Sequence, residues 1–187
     1  MNCAVNSAPL LALLAGLTMH VQGEGGDAQP QTAAIAGCEP TRPALRTVAV
    51  SSPAELQAAL SDAQPGDLIE AADGTYETTD RLRIKRSGAA EHPIVVRARN
   101  RGEAVIAGRY GFVFDSAAYV LLEGFKLTHS NESKACELKH CHHVRLTRNH
   151  FRLTEDVDKQ MHWVYITGDS HHNRVDHNLF EEKHRRG

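Results

Sequence analysis

The sequence predicts an all-β protein that folds as a right-handed parallel β-helix with a short capping helix at its amino-terminal end. Three observations predict this fold. Short β-rich segments are separated by turn residues, no long helical pattern lies between them, and one segment recurs at intervals of 24 to 29 residues. An α/β sheet would need crossover helices of about ten or more residues between its strands, so that class is excluded.

The amino-terminal segment is typical of a signal peptide. A short apolar run, residues 10–19, is followed by small residues near Gly23. A membrane-spanning helix needs about 20 apolar residues, so this run is too short to be an anchor. We therefore expect residues 1–23 to be removed and the protein to be secreted or periplasmic, with no membrane attachment. Residues 24–46 are rich in Ala, Gln, Gly and Pro, which predicts a disordered linker.

Ordered structure is expected over residues 47–187, beginning with a strand at Thr47 and then a helix. Ser52 has the character of an N-cap, Pro53 suits the first helical position, and Glu55 completes a capping box. Four residues share one helical face: Leu56, Ala59, Leu60 and Ala63. A short amphipathic helix here would cover the open end of a solenoid core.

After the helix, the hydrophobic pattern changes to a period of two residues. Ile69 and Ala71 fall on one face of the first predicted strand, and Leu68 and Glu70 fall on the other. Short β-rich groups then follow to the end of the chain, separated by Gly, Asn, Asp or Ser. Stacked short strands are therefore the repeating element.

The repeat itself sets the register of the coils. Residues 141–151 align with residues 170–180 at an offset of 29, with five of the eleven positions identical, and residues 122–127 align at an offset of 24. Equivalent side chains of stacked coils lie one above the other. The alignment predicts an internal ladder of Leu122, Leu146 and Val175 and a second one of Leu127, Phe151 and Phe180.

Two groups of polar residues also repeat. Asn149 and Asn178 are expected at one turn, where asparagine tolerates the left-handed conformation and its amide can bond to the next coil. Four histidines are expected to stack at another turn: His142, His143, His171 and His172. This stack could be a solvated corner, or an edge that responds to pH or binds metal.

The charge distribution favours a polyanionic partner. The formal net charge is -2, yet 19 of the 21 Lys and Arg residues follow residue 80, against 13 acidic residues there. A basic surface attracts an acidic polysaccharide or a nucleic acid, although solvated strand faces would give the same pattern. The export signal and the scarcity of aromatic residues argue against nucleic acid.

Neither a disulfide framework nor a metal site is predicted. Loss of the signal would leave Cys38, Cys136 and Cys141, an odd number. Cys136 and Cys141 lie among histidines, but the C-x4-C-H-H order matches no standard zinc spacing, so burial of both thiols is expected. Three acidic residues, Glu155, Asp156 and Asp158, could bind calcium, but they lack EF-hand spacing and suit a solvated loop equally.

Two groups of motifs resemble a known family. Residues 63–76, Ala-Gln-Pro-Gly-Asp-Leu-Ile-Glu-Ala-Ala-Asp-Gly-Thr-Tyr, resemble the first coil of many β-helix carbohydrate enzymes. Residues 91–99, and the stretch of residues 163–168 followed by 173–183, resemble polysaccharide lyase family six, which contains alginate lyases and chondroitinase B. The resemblance covers residues 47–187.

The resemblance implies β-elimination on an acidic uronan, with alginate and its poly-mannuronate form as the first candidates. A base removes the C5 proton beside the sugar carboxylate, a calcium ion neutralises that carboxylate, and an arginine assists the leaving oxygen. The family's order of motifs places these groups, including the calcium ligands, beyond Gly187, so no catalytic residue and no metal ligand is expected in this chain.

A weaker expectation concerns the last residues of the chain. Lys183, His184 and Arg185 are expected to contact substrate rather than to perform catalysis. Gly187 follows a coil with no terminal cap, which indicates a carboxy-terminally truncated, inactive and monomeric portion of a longer lyase. The alternative is a non-catalytic β-helix module that binds acidic glycans.

Overall fold

The structure, a computed structural model, describes residues 43–128, 134–152 and 162–181. The predicted signal peptide, Cys38, the acidic residues 155–158 and the group 183–185 lie outside the described residues. The described part of the predicted linker reaches the first strand, which begins at Arg46. No helix among the described residues has the length and apolar character needed to cross a membrane.

The described residues contain one helix, α1 (Pro53–Asp62), and fifteen short strands. The strands are β1 (Arg46–Val50), β2 (Asp67–Ala71), β3 (Gly74–Thr78), β4 (Leu82–Ile84), β5 (Ile94–Ala98), β6 (Ala104–Gly108), β7 (Phe112–Asp115), β8 (Ala118–Glu123), β9 (Lys126–Leu127), β10 (Lys134–Lys139), β11 (His142–Thr147), β12 (His150–Phe151), β13 (His162–Thr167), β14 (Arg174–Asp176) and β15 (Leu179–Phe180).

The strands form three parallel sheets that run along the solenoid. Sheet 1 has the order β1-β2-β5-β8-β11-β14, sheet 2 the order β3-β6-β9-β12-β15, and sheet 3 the order β4-β7-β10-β13. Within the described residues, four successive coils each contribute one strand to each sheet, and β14 and β15 begin a fifth. The predicted class, an all-β parallel β-helix with one short helix, is confirmed.

The predicted internal ladder lies in the centre of sheet 1. Leu146 pairs with Leu122 on one side and with Val175 on the other, as the repeat alignment requires. The ladder continues through Val96 and Ile69, which are both buried. The second predicted ladder is also present, because Phe151 pairs with Leu127 and Phe180. These inward side chains form one core along the solenoid axis.

Helix α1 covers the first coil, as predicted. The Ser52 hydroxyl accepts a 3.2 Å hydrogen bond from the Glu55 amide, and the Glu55 carboxylate accepts one of 2.7 Å from the Ser51 amide. Leu56 and Leu60 are fully buried and join the solenoid core. The helix therefore places apolar groups over the end of the core and leaves its polar face in water.

One detail of the asparagine turn differs from the prediction. Asn149 and Asn178 do stack, but the left-handed conformation belongs to the residue before each of them, with φ of 55° at Arg148 and 54° at His177. Gly124 holds the equivalent place one coil earlier, with φ of 80°. The residue before each asparagine therefore makes the turn, and the asparagine side chain forms hydrogen bonds to the neighbouring coil.

Apolar side chains are exposed on the last described strand of each sheet. β13, β14 and β15 end sheets 3, 1 and 2, and their outer edges have no paired strand among the described residues. Ile166 is 47% exposed, Val175 38% and Phe180 43%. Their equivalents one coil earlier, such as Leu138 and Phe151, are fully buried. The equivalent residues are buried because the next coil stacks on them and removes their side chains from solvent.

Candidate functional site

The four histidines stack where the chain passes from sheet 3 to sheet 1, as predicted. The His142 and His171 rings lie parallel with centroids 5.1 Å apart and an angle of 2° between their planes. His143 and His172 repeat this arrangement at 5.1 Å and 1°. Tyr119, one coil earlier, stacks on His143 at 4.7 Å. The coil repeat thus builds a continuous column of aromatic rings.

Adjacent histidines of the same coil also contact each other. Nδ1 of His142 lies 3.0 Å from Nδ1 of His143, and Nδ1 of His171 lies 2.7 Å from Nδ1 of His172. One Nδ1 of each pair must donate the hydrogen bond and the other must accept it. If both Nδ1 atoms of a pair carried a proton, two N–H donors would point at each other and the hydrogen bond would be lost. Burial, and then the nearby His142, His172 and His171, lowers the pKa of His143. The folded chain therefore disfavours a proton on His143.

The two cysteines near this column are buried thiols. Cys136 points into the core, and Cys141 places its sulfur 3.2 Å from the Lys139 carbonyl oxygen. Burial raises the pKa of both thiols, so neither is a thiolate at neutral pH. Among the described residues, no group of three or more His, Cys, Asp or Glu is placed to hold a metal ion.

The outer face of sheet 1 pairs its basic residues with acidic ones. Glu70 accepts from Arg97 at 2.9 Å and from Arg99 at 3.2 Å. Asp176 accepts two bonds from the buried Arg145, at 3.0 and 2.9 Å. Desolvation raises the pKa of Asp176, but the hydrogen bonds and charge of Arg145, with the charge of Arg174, outweigh it and hold that pKa well below its usual value. Each of these arginines therefore has a carboxylate partner.

Sheet 3 carries a different surface, which we call the cation–aromatic strip; its residues are Arg81, Arg109, Tyr110, Lys134, Glu137 and Tyr165. The guanidinium carbons of Arg81 and Arg109 lie 5.7 and 5.5 Å from the centre of the Tyr110 ring. The Lys134 ammonium lies 4.9 Å from the centre of the Tyr165 ring. All three distances are within the range of cation–π attraction.

Glu137 joins the two halves of the strip. Its carboxylate accepts from Arg81 at 3.2 Å and from Lys134 at 3.3 Å. Tyr165 pairs directly with Glu137 in the strand register, so its ring lies over the next coil on the same outer face. A single, mostly covered carboxylate thus orients two cations beside two aromatic rings.

The coil stacking positions the strip. The amide of Tyr110 donates to the Thr78 hydroxyl at 3.1 Å, and that hydroxyl lies 2.7 Å from the Ala107 carbonyl oxygen, so buried Thr78 fixes the turn. Gly108 turns with φ of 85°. A Cβ at Gly111 would lie 2.0 Å from the Ala135 carbonyl oxygen, so only glycine lets the next coil approach this closely.

A cleft of about 450 Å³ adjoins the strip at the capped end of the solenoid. The start of α1, including Pro53 and Gln57, forms one wall, and the connection that carries Asp80 and Arg81 forms the other. The Gln57 side chain holds the Arg83 backbone from both sides, accepting from its amide at 2.8 Å and donating to its carbonyl at 3.2 Å. Arg81 belongs to both the cleft and the strip.

The predicted substrate contacts Lys183, His184 and Arg185 lie outside the described residues, and sequence reasoning missed the strip. Part of its signal was present in the sequence, because its members Tyr110 and Lys134, and His162, whose ring contacts Tyr165, follow each other at offsets of 24 and 28, the spacing of the coils. The structure pairs Lys134 with His162 directly. A repeat is recognised in a sequence by similar residues at equivalent positions, and these three residues are chemically different, so their alignment is not visible.

Three solved structures share the fold of this chain. The PL6 family alginate lyase AlyGC superposes with a TM-score of 0.63 at 22% identity, covering 72% of this chain and 19% of that enzyme. A mannuronic acid-specific family 6 lyase from human gut microbiota gives 0.60 at 24% identity, with coverage of 74% and 35%. An alginate lyase from Paenibacillus sp. str. FPU-7 gives 0.55 at 24% identity, with coverage of 72% and 44%.

This chain therefore spans between 19% and 44% of the length of these three enzymes. No curated protein sequence matches it. Residues 50–187 match the family described as Chondroitinase B, and this match extends over most of the chain. The resemblance to polysaccharide lyase family six is thereby confirmed, and the chain belongs to the chondroitinase B family.

Proposed function

We propose that this chain is the amino-terminal portion of a secreted or periplasmic polysaccharide lyase that cleaves an acidic uronan by β-elimination, with poly-mannuronate alginate as its first candidate substrate. The observation that carries the proposal is the family match over residues 50–187. A basic, aromatic outer face on sheet 3 supports it, since a uronan presents one carboxylate on each sugar.

The exposed apolar end supports the proposal that further coils follow in the complete protein. Ile166, Val175 and Phe180 occupy ladder positions whose equivalents are buried in the earlier coils. An additional coil would cover them and pair the open strand edges. We place the catalytic base, the arginine and the calcium ligands on such later coils.

The described residues do not themselves fit a calcium site. Oxygen ligands in the number that calcium takes, about six to eight, would have to converge, and no group of three or more acidic or imidazole side chains does so among these residues. Calcium therefore stays a proposal for the complete protein alone. Within this chain, the residues of the strip would bind and orient the glycan, and no proton transfer is assigned to them.

Ultraviolet absorbance tests the proposal, because β-elimination creates an unsaturated uronide. The complete gene product, incubated with poly-mannuronate, should release absorbing product, and this chain alone should release none. A complete protein that cleaves no uronan would overturn the function, and clear cleavage by this chain alone would overturn the placement of the catalytic groups. Binding without cleavage by the complete protein would favour a non-catalytic glycan-binding module, which the cation–aromatic strip also suits.

A further inference from the structure

We propose that the cation–aromatic strip on sheet 3 is a binding surface for an unbranched acidic glycan, occupied by successive uronate units that lie along the solenoid axis. This inference deepens the proposed function, on which it rests for the class of ligand. It assigns the contacts to coils that precede the expected catalytic groups.

The first argument is the pairing of flat apolar rings with cations. Tyr110 is half-buried and Tyr165 is 36% exposed, so both side chains reach the surface. A pyranose ring has one apolar C–H face that can pack on an aromatic ring, while its carboxylate needs a cationic partner. Arg109 beside Tyr110 and Lys134 beside Tyr165 supply that partner within 5.5 and 4.9 Å of the ring centres.

The second argument is periodicity. Tyr110 precedes the strand of the second coil, Lys134 begins that of the third and Tyr165 lies in that of the fourth, so the recognition groups follow one another at the spacing of the coils. Neighbouring parallel strands are about 4.8 Å apart. A linear uronan carries one carboxylate on each sugar ring. If the sugars lie along the solenoid axis, each successive coil of the strip therefore places a cation or an aromatic ring beside a further sugar.

The third argument is charge. Arg81, Arg109 and Lys134 contribute three positive charges, and Glu137 contributes one negative charge, which leaves the strip at +2. Glu137 is only 14% exposed, and its carboxylate is already engaged by Arg81 and Lys134, so it presents little repulsion to an anionic ligand. The outer face of sheet 1 has a similar balance, five arginines against Glu70, Glu123 and Asp176, but the cation–π contacts of the described residues lie in the strip.

The cleft beside α1 provides an end to this path. Its lining includes Arg81 and Arg83, whose charges Glu77 and Asp80 offset, and it is closed by helix α1, whose Gln57 fixes the Arg83 backbone. A glycan that follows the strip toward the capped end would place its last sugar there. The strip and the cleft together therefore favour a chain end or a short oligomer at this end of the solenoid.

The test is calorimetric titration of this chain with defined mannuronate oligomers, compared with neutral mannose oligomers of equal length. We expect binding of the acidic oligomer only, weakening as salt is raised, because exposed charges are screened. The paired variant Arg109→Gln with Lys134→Gln should weaken the affinity about tenfold or more, the equivalent of losing one or two charged contacts. Tyr165→Ala should weaken it further.

The matched control is Arg99→Gln with Arg148→Gln, which removes the same charge from the outer face of sheet 1. It should change the affinity less than about twofold, because these exposed charges lie outside the proposed binding surface and act on the ligand only at long range. Equal losses in both paired variants, equal binding of the neutral oligomer, or displacement by single-stranded nucleic acid at equal affinity would each overturn the inference. Circular dichroism confirms that each variant is folded.

The outcome is separable from that of the proposed function, because binding is measured without cleavage. Absorbance of the same mixtures reports lyase activity independently. If the complete protein cleaves alginate but the strip variants of this chain bind normally, the inference fails and the function stands. If the strip binds uronates and no form of the protein cleaves them, the function fails and the binding surface stands.

Discussion

Asn178 links two coils through one oxygen atom: its side-chain carbonyl accepts hydrogen bonds from the backbone amide of Asn149 at 2.8 Å and from the side-chain amide of Asn149 at 3.2 Å. Asn149 repeats the pattern one coil earlier, accepting from the Phe125 amide at 3.0 Å and donating to the Leu122 carbonyl at 3.1 Å. Each asparagine thus satisfies backbone groups of the coil before it.

Asn149→Ala should destabilise the solenoid by about 2 to 4 kcal/mol, because it leaves the buried Phe125 amide and Leu122 carbonyl without this partner. Urea unfolding followed by circular dichroism measures the change. Asn100→Ala is the control, since the Asn100 amide bonds to Asp73 at the exposed surface and its loss should cost less than about 0.5 kcal/mol. Similar losses for both variants would contradict the role of the asparagine ladder.

Asp176→Asn should destabilise the chain at pH 7 by about 1 to 3 kcal/mol, because the buried Arg145 would lose the charge of the Asp176 carboxylate. The folded-state pKa of Asp176 lies below the unfolded value of about 3.9. Its contribution to stability is therefore present above pH about 4 and is lost as the pH falls through the folded-state pKa. The difference between the urea midpoints of the variant and the wild type should be smaller at pH 3 than at pH 7.

The control for this pH effect is Asp62→Asn, an exposed position at the end of α1. It should leave both midpoints within the error of the wild type. A constant difference between Asp176→Asn and the wild type at pH 7 and pH 3 would show that the lost stability does not depend on the charge of the carboxylate.

His143 should make the stability of the chain depend on pH. Burial and neighbouring histidines lower the pKa of His143, so the unfolded chain binds its proton at a higher pH than the folded chain does. The stability is complete above about pH 6.5, where the free histidine is neutral, and falls as the pH drops toward the folded-state pKa. His143→Phe keeps a ring between Tyr119 and His172 and should flatten this slope; an unchanged slope in urea midpoints would contradict it.

Gly111→Ala should destabilise the chain by about 3 kcal/mol or more, because the new Cβ would lie 2.0 Å from the Ala135 carbonyl oxygen and separate β7 from β10. Thermal unfolding measures the loss. Gly102→Ala is the matched control: its Cβ would meet nothing within 4 Å, and only its φ of 83° opposes the change. The control should cost about 1 kcal/mol; equal costs would mean that coil spacing is not limiting.

The repeat in the sequence determined the coil register correctly. An inward position requires an apolar side chain in each coil, so the core imposes a repeating hydrophobic pattern on the sequence. This pattern is why the sequence alone could align Leu122, Leu146 and Val175. The helix could be predicted for a similar reason, since its capping residues act on neighbours three or four positions away. Interactions that are local, or that repeat, can be read along the chain.

Only the tertiary structure decided which outward side chains meet. Arg81, Tyr110 and Lys134 come from three different coils and have no chemical likeness, so nothing in their order marks them as neighbours until the stacking distance brings them together. The left-handed turn residues Arg148 and His177 escaped prediction for a related reason: the side-chain bonds of the following asparagines, made between coils, hold those turns. The sequence by itself therefore determined the ladder of the core, and the packing of coil upon coil created the surface where a glycan would bind.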